Sequence, residues 1–250
     1  MNSLEKLDVS IIITAYNYAR YIEECINSCL LQDETLLRYE VIVVDDGSSD
    51  ETPLILEKIN NKLLRKFRIE NSGIEIASNF GFGQAMGRYL VRVDADDKLA
   101  PDYLHAIHEN LLKEYDFYYS DYHVINGDGE IVIKMNLPEF DPTEIRSRGD
   151  FLATGTLFSA EILSFIGYYS EEIKNSGLEN YELILRLLEA KKLGKHIPRY
   201  LFSYRQHTMN LSVSKNEYIL RNGVKLFEKF GLGSYKTNKY HPYNPAQGLL

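Results

Sequence analysis

The sequence lacks the features that would place the protein in a membrane or outside the cell. No apolar run approaches the roughly 20 residues that a helix needs to span a bilayer. Its first residues, MNSLEKLDVS, contain no basic region followed by an apolar stretch and a small-residue cleavage site, as a secretory signal would. We therefore expect a cytoplasmic protein. Peripheral contact with the inner face of the membrane remains open.

Cysteine and positive charge are also scarce. Cys25 and Cys29 are the two cysteines of the chain, and a spacing of four in a helical pattern rarely meets disulfide geometry, so reduced thiols facing a core are expected. The formal net charge is -8, with 28 Lys and Arg against 36 Asp and Glu. This balance argues against a nucleic-acid partner held through its phosphates.

Buried strands alternate with amphipathic helices in the first half of the chain. The pattern predicts strands at 9–14, 39–45, 67–70 and 89–93. It predicts helices at 21–31 and 74–86, with two more beginning near Thr52 and Pro101. Such alternation is typical of an α/β fold with a mainly parallel sheet covered by helices. In these sheets ligands bind beyond the carboxyl ends of the strands.

The second half of the chain shows a different pattern of predicted strands and helices. Its pattern predicts strands at 117–121, 154–159 and 197–202, a hairpin at 124–133, and helices at 179–191 and 216–230. The last helix could pack on the protein's own core, on a partner or on a membrane surface, with its own core as the default. No internal repeat or linker is visible, so one domain spanning residues 1–250 is expected.

Polar side chains follow three of the predicted strands. The segments are TAYNY (14–18), VDDGSSDET (44–52) and VDADD (93–97). Any one of them has an ordinary explanation as a turn or a helix cap, but together they build an acidic pocket at one edge of the sheet. Asp94, Asp96 and Asp97 would repel one another there, so a divalent cation with oxygen ligands is expected among them.

These motifs, in this order, closely resemble family 2 glycosyltransferases, whose GT-A fold binds a sugar nucleotide. The resemblance runs from Val9 to about Ser212 and also includes NSGIEIASNFGFGQAMGRYLVRVDADD and GLENYELILRL. It implies a Rossmann-like, mixed and mainly parallel sheet flanked by helices. It also implies a nucleotide-binding half at about 1–100, an acceptor-binding half at about 101–212, and a C-terminal helix and tail at 213–250.

The resemblance implies a donor site and a metal site. It places the nucleotide sugar at Thr14, Tyr16, Asn17, Asp46, Ser48, Asn79 and Asp94. It places a Mn²⁺ or Mg²⁺ cofactor, bridging the donor's diphosphate, at Asp94, Asp96, Asp97 and His207. The segment GFGQAMG imitates a dinucleotide fingerprint, but its glycines neither follow a strand directly nor open a helix, so that interpretation fails.

The helix start at GLENYELILRL resembles the family's Glu-Asp pair, whose Asp is assigned as the base that deprotonates the acceptor hydroxyl. This chain has Glu179 followed by Asn180, and an amide cannot accept a proton near neutral pH. Glu179 is therefore the candidate catalytic base. Its alternative role is stabilisation of the helix through the macrodipole. Glu182, four residues before Arg186, is expected to form an ion pair along the helix.

The resemblance implies a metal-dependent, inverting transfer of a sugar from a nucleoside diphosphate sugar, most commonly UDP-linked, to a hydroxyl of a glycan or glycolipid. The usual setting is bacterial surface polysaccharide synthesis. Two alternatives stay open. Asn180 would suit a catalytically impaired protein that binds nucleotide sugars. A sugar-phosphate nucleotidyltransferase would need a basic, glycine-rich loop, for which Thr14 to Arg20 offers only Arg20.

Overall fold

The computed structural model describes residues 7–148, 154–208, 210 and 216–234. The strands are β1 (Val9–Ala15), β2 (Tyr39–Asp45), β3 (Leu64–Arg68), β4 (Tyr89–Asp94), β5 (Lys98–Leu99), β6 (Phe117–Ile125), β7 (Ile131–Met135), β8 (Leu157–Ser159) and β9 (Gly194–Arg205). The helices are α1 (Ile22–Leu30), α2 (Thr52–Lys58), α3 (Ile74–Gln84), α4 (Tyr103–Asn110), α5 (Pro142–Arg148), α6 (Ala160–Ile166), α7 (Glu179–Glu189) and α8 (Asn216–Lys229).

The nine strands form one mixed sheet in the order β3-β2-β1-β4-β8-β6-β9-β5, with β7 paired to β6. The first four strands of the chain are parallel, since β1 lies between β2 and β4, and β3 extends from β2. β8 then joins β4 to β6 through antiparallel pairing on both sides. The predicted α/β class with a mixed sheet is confirmed.

The central strands are apolar because they are covered on both faces. Every residue of β1 and β2 is buried, as expected for parallel strands between two helical layers. α1 buries Cys25 and Cys29 against the sheet as free thiols, which confirms the prediction made from their spacing. α3 approaches the other face closely at Gly81, where an added Cβ would lie 2.5 Å from Ile12 Cγ2.

Several bounds differ from those that the pattern predicts. β3 begins at Leu64 rather than Phe67 because pairing with β2, not apolar content, defines this charged strand. β8 begins at Leu157 rather than Thr154, since Gly155 has a φ of 81°, outside the strand region. The pattern missed β5, α5 and α6, which are two to seven residues long and too short to show a period.

α8 packs on α7, within the protein's own fold. The buried cluster between them contains Leu178, Tyr181, Leu185, Ile219, Leu226 and Phe227. The default expectation for this helix is therefore confirmed. The helices of the described residues include none with both the length and the apolar content needed to cross a membrane.

We expect Phe227→Ala to lower the free energy of unfolding by about 3–5 kcal/mol, because the ring is 1% exposed and its loss leaves a cavity between α7 and α8. Urea denaturation measures this change. Val224, on the same helix, is 48% exposed, so Val224→Ala should cost less than about 0.5 kcal/mol. Equal effects of the two substitutions would show that α8 is not anchored by this cluster.

Candidate active site

The carboxyl ends of β1, β2 and β4 meet at one edge of the sheet. Thr14 is the register partner of Asp94 on β4, and Ala15 is the partner of Asp45 on β2. The three polar segments singled out in the sequence therefore lie side by side. Because parallel strands present their carboxyl ends to the same crevice, this edge is the expected place for a ligand.

Asn17 and Ser48 connect the loops that follow β1 and β2. The Asn17 amide N–H donates to Ser48 Oγ at 2.9 Å, and Asn17 Oδ1 accepts from the Ser49 amide at 2.7 Å. Asn17 has a φ of 62°, a left-handed conformation that asparagine tolerates better than most residues. Both predicted donor-site residues thus hold the shape of the crevice wall.

Asp46 is buried beneath the loop that leads into α3. Its carboxylate accepts hydrogen bonds from the amides of Ser72 at 2.7 Å and Gly73 at 2.9 Å, and from Asn71 Nδ2 at 3.2 Å. Burial raises the pKa of Asp46, and the two backbone donors oppose that rise. Asp46 therefore joins the end of β2 to the start of α3, on the floor of the same crevice.

Tyr16 offers an exposed aromatic ring, and Thr14 a buried hydroxyl. Tyr16 is 46% exposed, so its ring is available for stacking. Thr14 is buried, and its Oγ1 finds no hydrogen-bond partner among the residues that the structure describes. A buried hydroxyl without a partner is costly to the fold. These two residues therefore suit contact with a bound molecule.

Asn79 has its side-chain amide engaged within the protein. Its Nδ2 donates to the Tyr169 carbonyl at 2.9 Å and to Glu171 at 2.8 Å, and its Oδ1 accepts from the Tyr169 amide at 3.0 Å. These bonds attach α3 to the segment after α6. The predicted donor-site residue thus acts here as a support for Tyr169.

Asp96 lies under the segment that follows β9. His207 Nε2 is 2.9 Å from Asp96 Oδ2, and Asn210 Nδ2 donates to the same oxygen at 3.1 Å. The His207 ring also stacks on Tyr21, with centroids 4.9 Å apart. Burial raises the pKa of Asp96, and His207 opposes that rise. The two predicted metal-site residues Asp96 and His207 are thus in direct contact.

Asp94 and Asp97 differ in exposure. The Asp94 side chain is 29% exposed and lies 3.1 Å from Arg92 Nη2. Asp97 is fully buried, and its Oδ1 accepts from the Arg205 amide at 2.8 Å. Burial raises the pKa of Asp97, and Asp96 and Asp94 add to the rise. Asp97 therefore connects the tip of β4 to β9 from the interior, a position that does not fit direct contact with a ligand.

A divalent cation would find two protein ligands here rather than four. Within residues 7–148, 154–208, 210 and 216–234, no three His, Cys, Asp or Glu side chains converge as a metal cage. Asp96 Oδ2 and His207 Nε2 are close enough to bind one ion together. Mg²⁺ is commonly held by one or two carboxylates, with substrate phosphates and waters completing its shell. This pair fits such an ion, whereas the full predicted set of four does not.

Arg92 connects the tip of β4 to Glu179 at the start of α7. Arg92 Nη1 donates to Glu179 Oε1 at 2.9 Å, and both side chains are more than nine-tenths buried. The guanidinium also lies over the Tyr169 ring, 5.2 Å from its centroid. Burial lowers the pKa of Arg92, but Asp94, Tyr169 and Glu179 together raise it above its ordinary value. Arg92 therefore stays charged between two carboxylates.

Glu179 keeps one oxygen without a protein partner. Its Oε2 is buried and accepts no hydrogen bond from the described residues. Burial raises the pKa of Glu179, Arg92 opposes the rise, and Glu75 contributes to it. Asn180 instead accepts a hydrogen bond from the Tyr169 hydroxyl at 2.6 Å. Glu182 pairs with Arg186 at 2.8 Å, which confirms the ion pair predicted from their spacing.

Sequence reasoning missed several residues of this site. They are Tyr18, Arg92, Thr154, Tyr169, Arg205 and Asn210. Arg92 had a visible signal, because a cation inside the apolar strand VRVD must be paired when it is buried. Tyr18 lies in the TAYNY segment that the sequence placed at this edge, whereas the other four come from distant loops and strands, and nothing local in the sequence marks their approach to the β4 tip.

Comparison with known proteins identifies a family and relatives to which this chain is similar. A family model described as "Glycosyl transferase family 2" matches residues 10–164. Hyaluronan synthase from Pasteurella multocida is 31% identical over 212 residues, which cover 83% of this chain and 21% of that protein. The chain thus spans about a fifth of the length of that relative.

Two solved structures share the fold. S. aureus TarS 1-349 in complex with UDP-GlcNAc has a TM-score of 0.70 and 23% identity, and the match covers 91% of this chain and 67% of that one. The mannosyltransferase PcManGT from Pyrobaculum calidifontis, in complex with GDP-Man and Mn²⁺, has a TM-score of 0.68 and 19% identity, with coverage of 95% and 67%. The predicted GT-A fold is confirmed by these likenesses.

We expect Arg92→Leu to lower the free energy of unfolding by about 3–5 kcal/mol, because it leaves Glu179 buried without its cation. Urea denaturation measures the loss. The matched control is Arg88→Leu, which removes a half-exposed ion pair with Asp8 and should cost about 1 kcal/mol or less. The double variant Arg92→Leu, Glu179→Leu should recover much of the loss, since no fully buried carboxylate is left without its cation and Asp94, the other partner of Arg92, is 29% exposed to water. Failure to recover would mean that Arg92 stabilises the fold by packing alone.

Proposed function

The chain belongs to glycosyl transferase family 2, and from this premise we propose that it is a metal-dependent, inverting enzyme. It transfers a sugar from a nucleoside diphosphate sugar to a hydroxyl of a glycan or glycolipid acceptor. The observation that carries the proposal is the tip of β4 at the carboxyl edge of the sheet, where Asp96 contacts His207 and Asp94 is partly exposed. Carboxylates gathered at this edge suit a donor that arrives with a diphosphate and a cation.

The donor's nucleoside occupies the crevice between the loops after β1 and β2. The exposed Tyr16 ring stacks on the base, and the Thr14 hydroxyl, which has no partner among the described residues, donates to the nucleoside. Asp46 accepts from the base or the ribose through lone pairs that its backbone donors leave free. Asn17, Ser48 and Asn79 keep the walls in place through the hydrogen bonds described above. UDP is the nucleotide we would test first.

Asp96 and His207 would hold the cation, with Asp94 beside it at the exposed end of β4. A bound Mn²⁺ or Mg²⁺ supplies Lewis-acid stabilisation of the charge that develops on the departing diphosphate. Asp97 supports this arrangement from the interior through the Arg205 amide. Since Asn210 and His207 cover Asp96, the segment after β9 also excludes water from the reacting groups.

Glu179 acts as the base in this proposal. Arg92 holds Glu179 Oε1, which leaves Oε2 to accept the proton of the acceptor hydroxyl. The hydroxyl oxygen forms a bond to the anomeric carbon while the bond from that carbon to the diphosphate oxygen breaks on the opposite face. The nucleoside diphosphate leaves with the electron pair, and the sugar's configuration is inverted. Asn180 contributes indirectly, by holding the Tyr169 ring against Arg92.

The proposed setting is the synthesis of a bacterial surface polysaccharide at the cytoplasmic face of the membrane. The similarity to hyaluronan synthase supports a polysaccharide product. An impaired protein that only binds nucleotide sugars is the second candidate, because Asn180 stands where the family pattern has an acid. Catalytic turnover of the nucleotide sugar distinguishes the two candidates, since the impaired protein would bind the sugar nucleotide without transferring its sugar.

The donor site predicts a nucleotide-specific and metal-dependent thermal shift. In a panel of UDP-, GDP-, CDP- and dTDP-sugars, one nucleotide should raise the unfolding temperature in the presence of Mn²⁺. At a hundredfold excess over its dissociation constant, the ligand adds about 2.7 kcal/mol to stability. Asp96→Ala should abolish the metal-dependent part, whereas Asp102→Ala, at an exposed site on the approach to α4, should keep it. No shift with any nucleotide would refute the donor site.

Glu179→Gln should reduce kcat for sugar transfer by about 10²- to 10⁴-fold while donor binding persists, since the amide cannot take the proton. Because burial raises the pKa of Glu179, kcat/KM of the wild type should fall as the pH drops through a value above the ordinary 4.5. Steady-state kinetics between pH 4 and pH 9 check both the loss in the variant and the pH dependence of the wild type. Below the pKa of Glu179, kcat/KM of the wild type should fall roughly tenfold for each pH unit.

The matched control for this variant is Glu182→Gln, one turn further along α7, where the carboxylate is paired with Arg186. It should leave kcat within about twofold of the wild type, since it touches no reacting group. If both glutamine variants turned over equally well, Glu179 would be a structural ion-pair partner, and the base would have to be sought elsewhere.

A further inference from the structure

Glu75, in the first turn of α3, is a buried carboxylate to which the proposed reaction assigns no role. Its side chain is 2% exposed. Oε2 accepts a hydrogen bond from the Asn175 amide at 2.8 Å, and Oε1 accepts one from the Ser176 amide at 2.7 Å. Both oxygens therefore hold one short stretch of backbone, which lies 100 and 101 positions further along the chain.

The segment 174–176 also bonds back to the start of α3. Asn175 Oδ1 accepts a hydrogen bond from the Ile74 amide at 3.1 Å. Gly73 lets the two segments approach closely, since an added Cβ there would lie 2.7 Å from Lys174 Cγ. These contacts, made in both directions, fix the segment 174–176 against the first turn of α3.

The same turn of α3 is attached to the donor crevice. Asp46, which is proposed to contact the nucleoside, accepts hydrogen bonds from the amides of Ser72 and Gly73 just before this helix. Asp46 directly follows β2, one of the fully buried central strands. The place of Glu75 is therefore set by the rigid part of the sheet.

From the segment 174–176 the contacts continue into α7. Ser176 Oγ accepts a hydrogen bond from the Leu178 amide at 3.2 Å, and Asn222 Nδ2 on α8 donates to the Ser176 carbonyl at 3.3 Å. Ser176 is thus bonded through its amide, its hydroxyl and its carbonyl. α7 begins at Glu179, the proposed base, three residues after Ser176. A displacement of Ser176 would therefore move Glu179 as well.

We propose that Glu75 is a positioning residue for sugar transfer, which holds the segment 174–176 so that Glu179 stays at a set place relative to the donor crevice. The inference rests on the proposed function, because it takes Glu179 as the base. In this role Glu75 touches neither donor nor acceptor. It acts through the backbone amides of Asn175 and Ser176.

The charge of Glu75 gives this role a signature in the pH dependence. Burial is the main cause of the raised pKa of Glu179, Arg92 opposes the rise, and Glu75 and Asp94 add to it. A neutral side chain at position 75 would remove one of these contributions and lower the pKa of Glu179. The other charged groups near Glu179 line a cleft beside α8 and stay unchanged: Glu172, Glu182, Lys225 and Lys229.

Glu75→Gln tests the proposal, because glutamine has the same shape but turns an N–H donor toward one of the two backbone donors. The reaction followed is hydrolysis of UDP-, GDP-, CDP- and dTDP-sugars with Mn²⁺, in which water replaces the acceptor hydroxyl. We expect kcat to fall about 10- to 100-fold through misplacement of the base. The acid limb of kcat/KM should move to lower pH.

Donor binding should persist in Glu75→Gln, since Asp46 still holds Ser72 and Gly73. The dissociation constant of the nucleotide sugar, measured by calorimetry, should therefore stay within about twofold of that of the wild type. A loss confined to kcat distinguishes a displaced base from a damaged donor crevice.

The matched control is Glu40→Gln. Glu40 is also a buried carboxylate, 3% exposed, and accepts a hydrogen bond from the Met86 amide at 2.8 Å. It lies near the start of β2, at the end of the strand away from the crevice. At a temperature where circular dichroism shows both variants folded, Glu40→Gln should keep kcat within about twofold and leave the acid limb in place.

Three results would overturn the inference. They are a wild-type kcat in Glu75→Gln, an equal loss of kcat in Glu75→Gln and Glu40→Gln, and a loss in Glu75→Gln without movement of the acid limb. If Glu75→Gln does not fold, Ser176→Ala decides, since it removes only the hydroxyl that accepts from the Leu178 amide. Its kcat should fall about fivefold or more at unchanged donor affinity, and a wild-type kcat would overturn the inference.

The wild type by itself tests the proposed function. If it binds and hydrolyses none of the nucleotide sugars, the proposed function is wrong. If it hydrolyses one of them and Glu75→Gln does so equally well, the transferase stands and only the positioning role of Glu75 is wrong.

Discussion

The buried ion pair between Arg92 and Glu179 is the interaction on which the rest of the site depends. It joins β4, which belongs to the parallel part of the sheet, to the first residue of α7 in the second half of the chain. A buried guanidinium needs partners for its charge, and Asp94, Glu179 and the face of Tyr169 supply them. The acidic strand tip and the candidate base are thereby kept at a set separation.

Around this pair the site is built from two kinds of segment. The loops after β1 and β2 are held to each other by Asn17 and Ser48, and their geometry follows from the rigid central strands. Asp96, by contrast, is covered by side chains from the segment after β9, through His207 and Asn210. A ligand that reached Asp96 would have to displace these contacts. The crevice is therefore preformed between the loops after β1 and β2 and closed over Asp96.

The sequence was most informative where an apolar strand run is followed directly by polar side chains. The VSIIIT and YEVIVVD runs predict central strands, and the polar residues that follow them predict the edge of the sheet at which a ligand would bind. The motif residues Thr14, Asp94 and Asp96 lie at that edge. Prediction failed at Gly155, whose left-handed φ shortens β8, and at α5 and α6, which are too short for a hydrophobic period to appear.

What the sequence by itself determined is the class of fold, the central strands and helices, the family and the acidic strand tip, because these follow from residue types at short separations. Only the tertiary structure decided that Asp97 is interior, that His207 contacts Asp96 and that Arg92 pairs with Glu179. It also decided that α8 encloses a cleft beside Glu179. These contacts join residues 87 to 111 positions apart, or a helix to a distant turn, and local patterns carry no information about such distances.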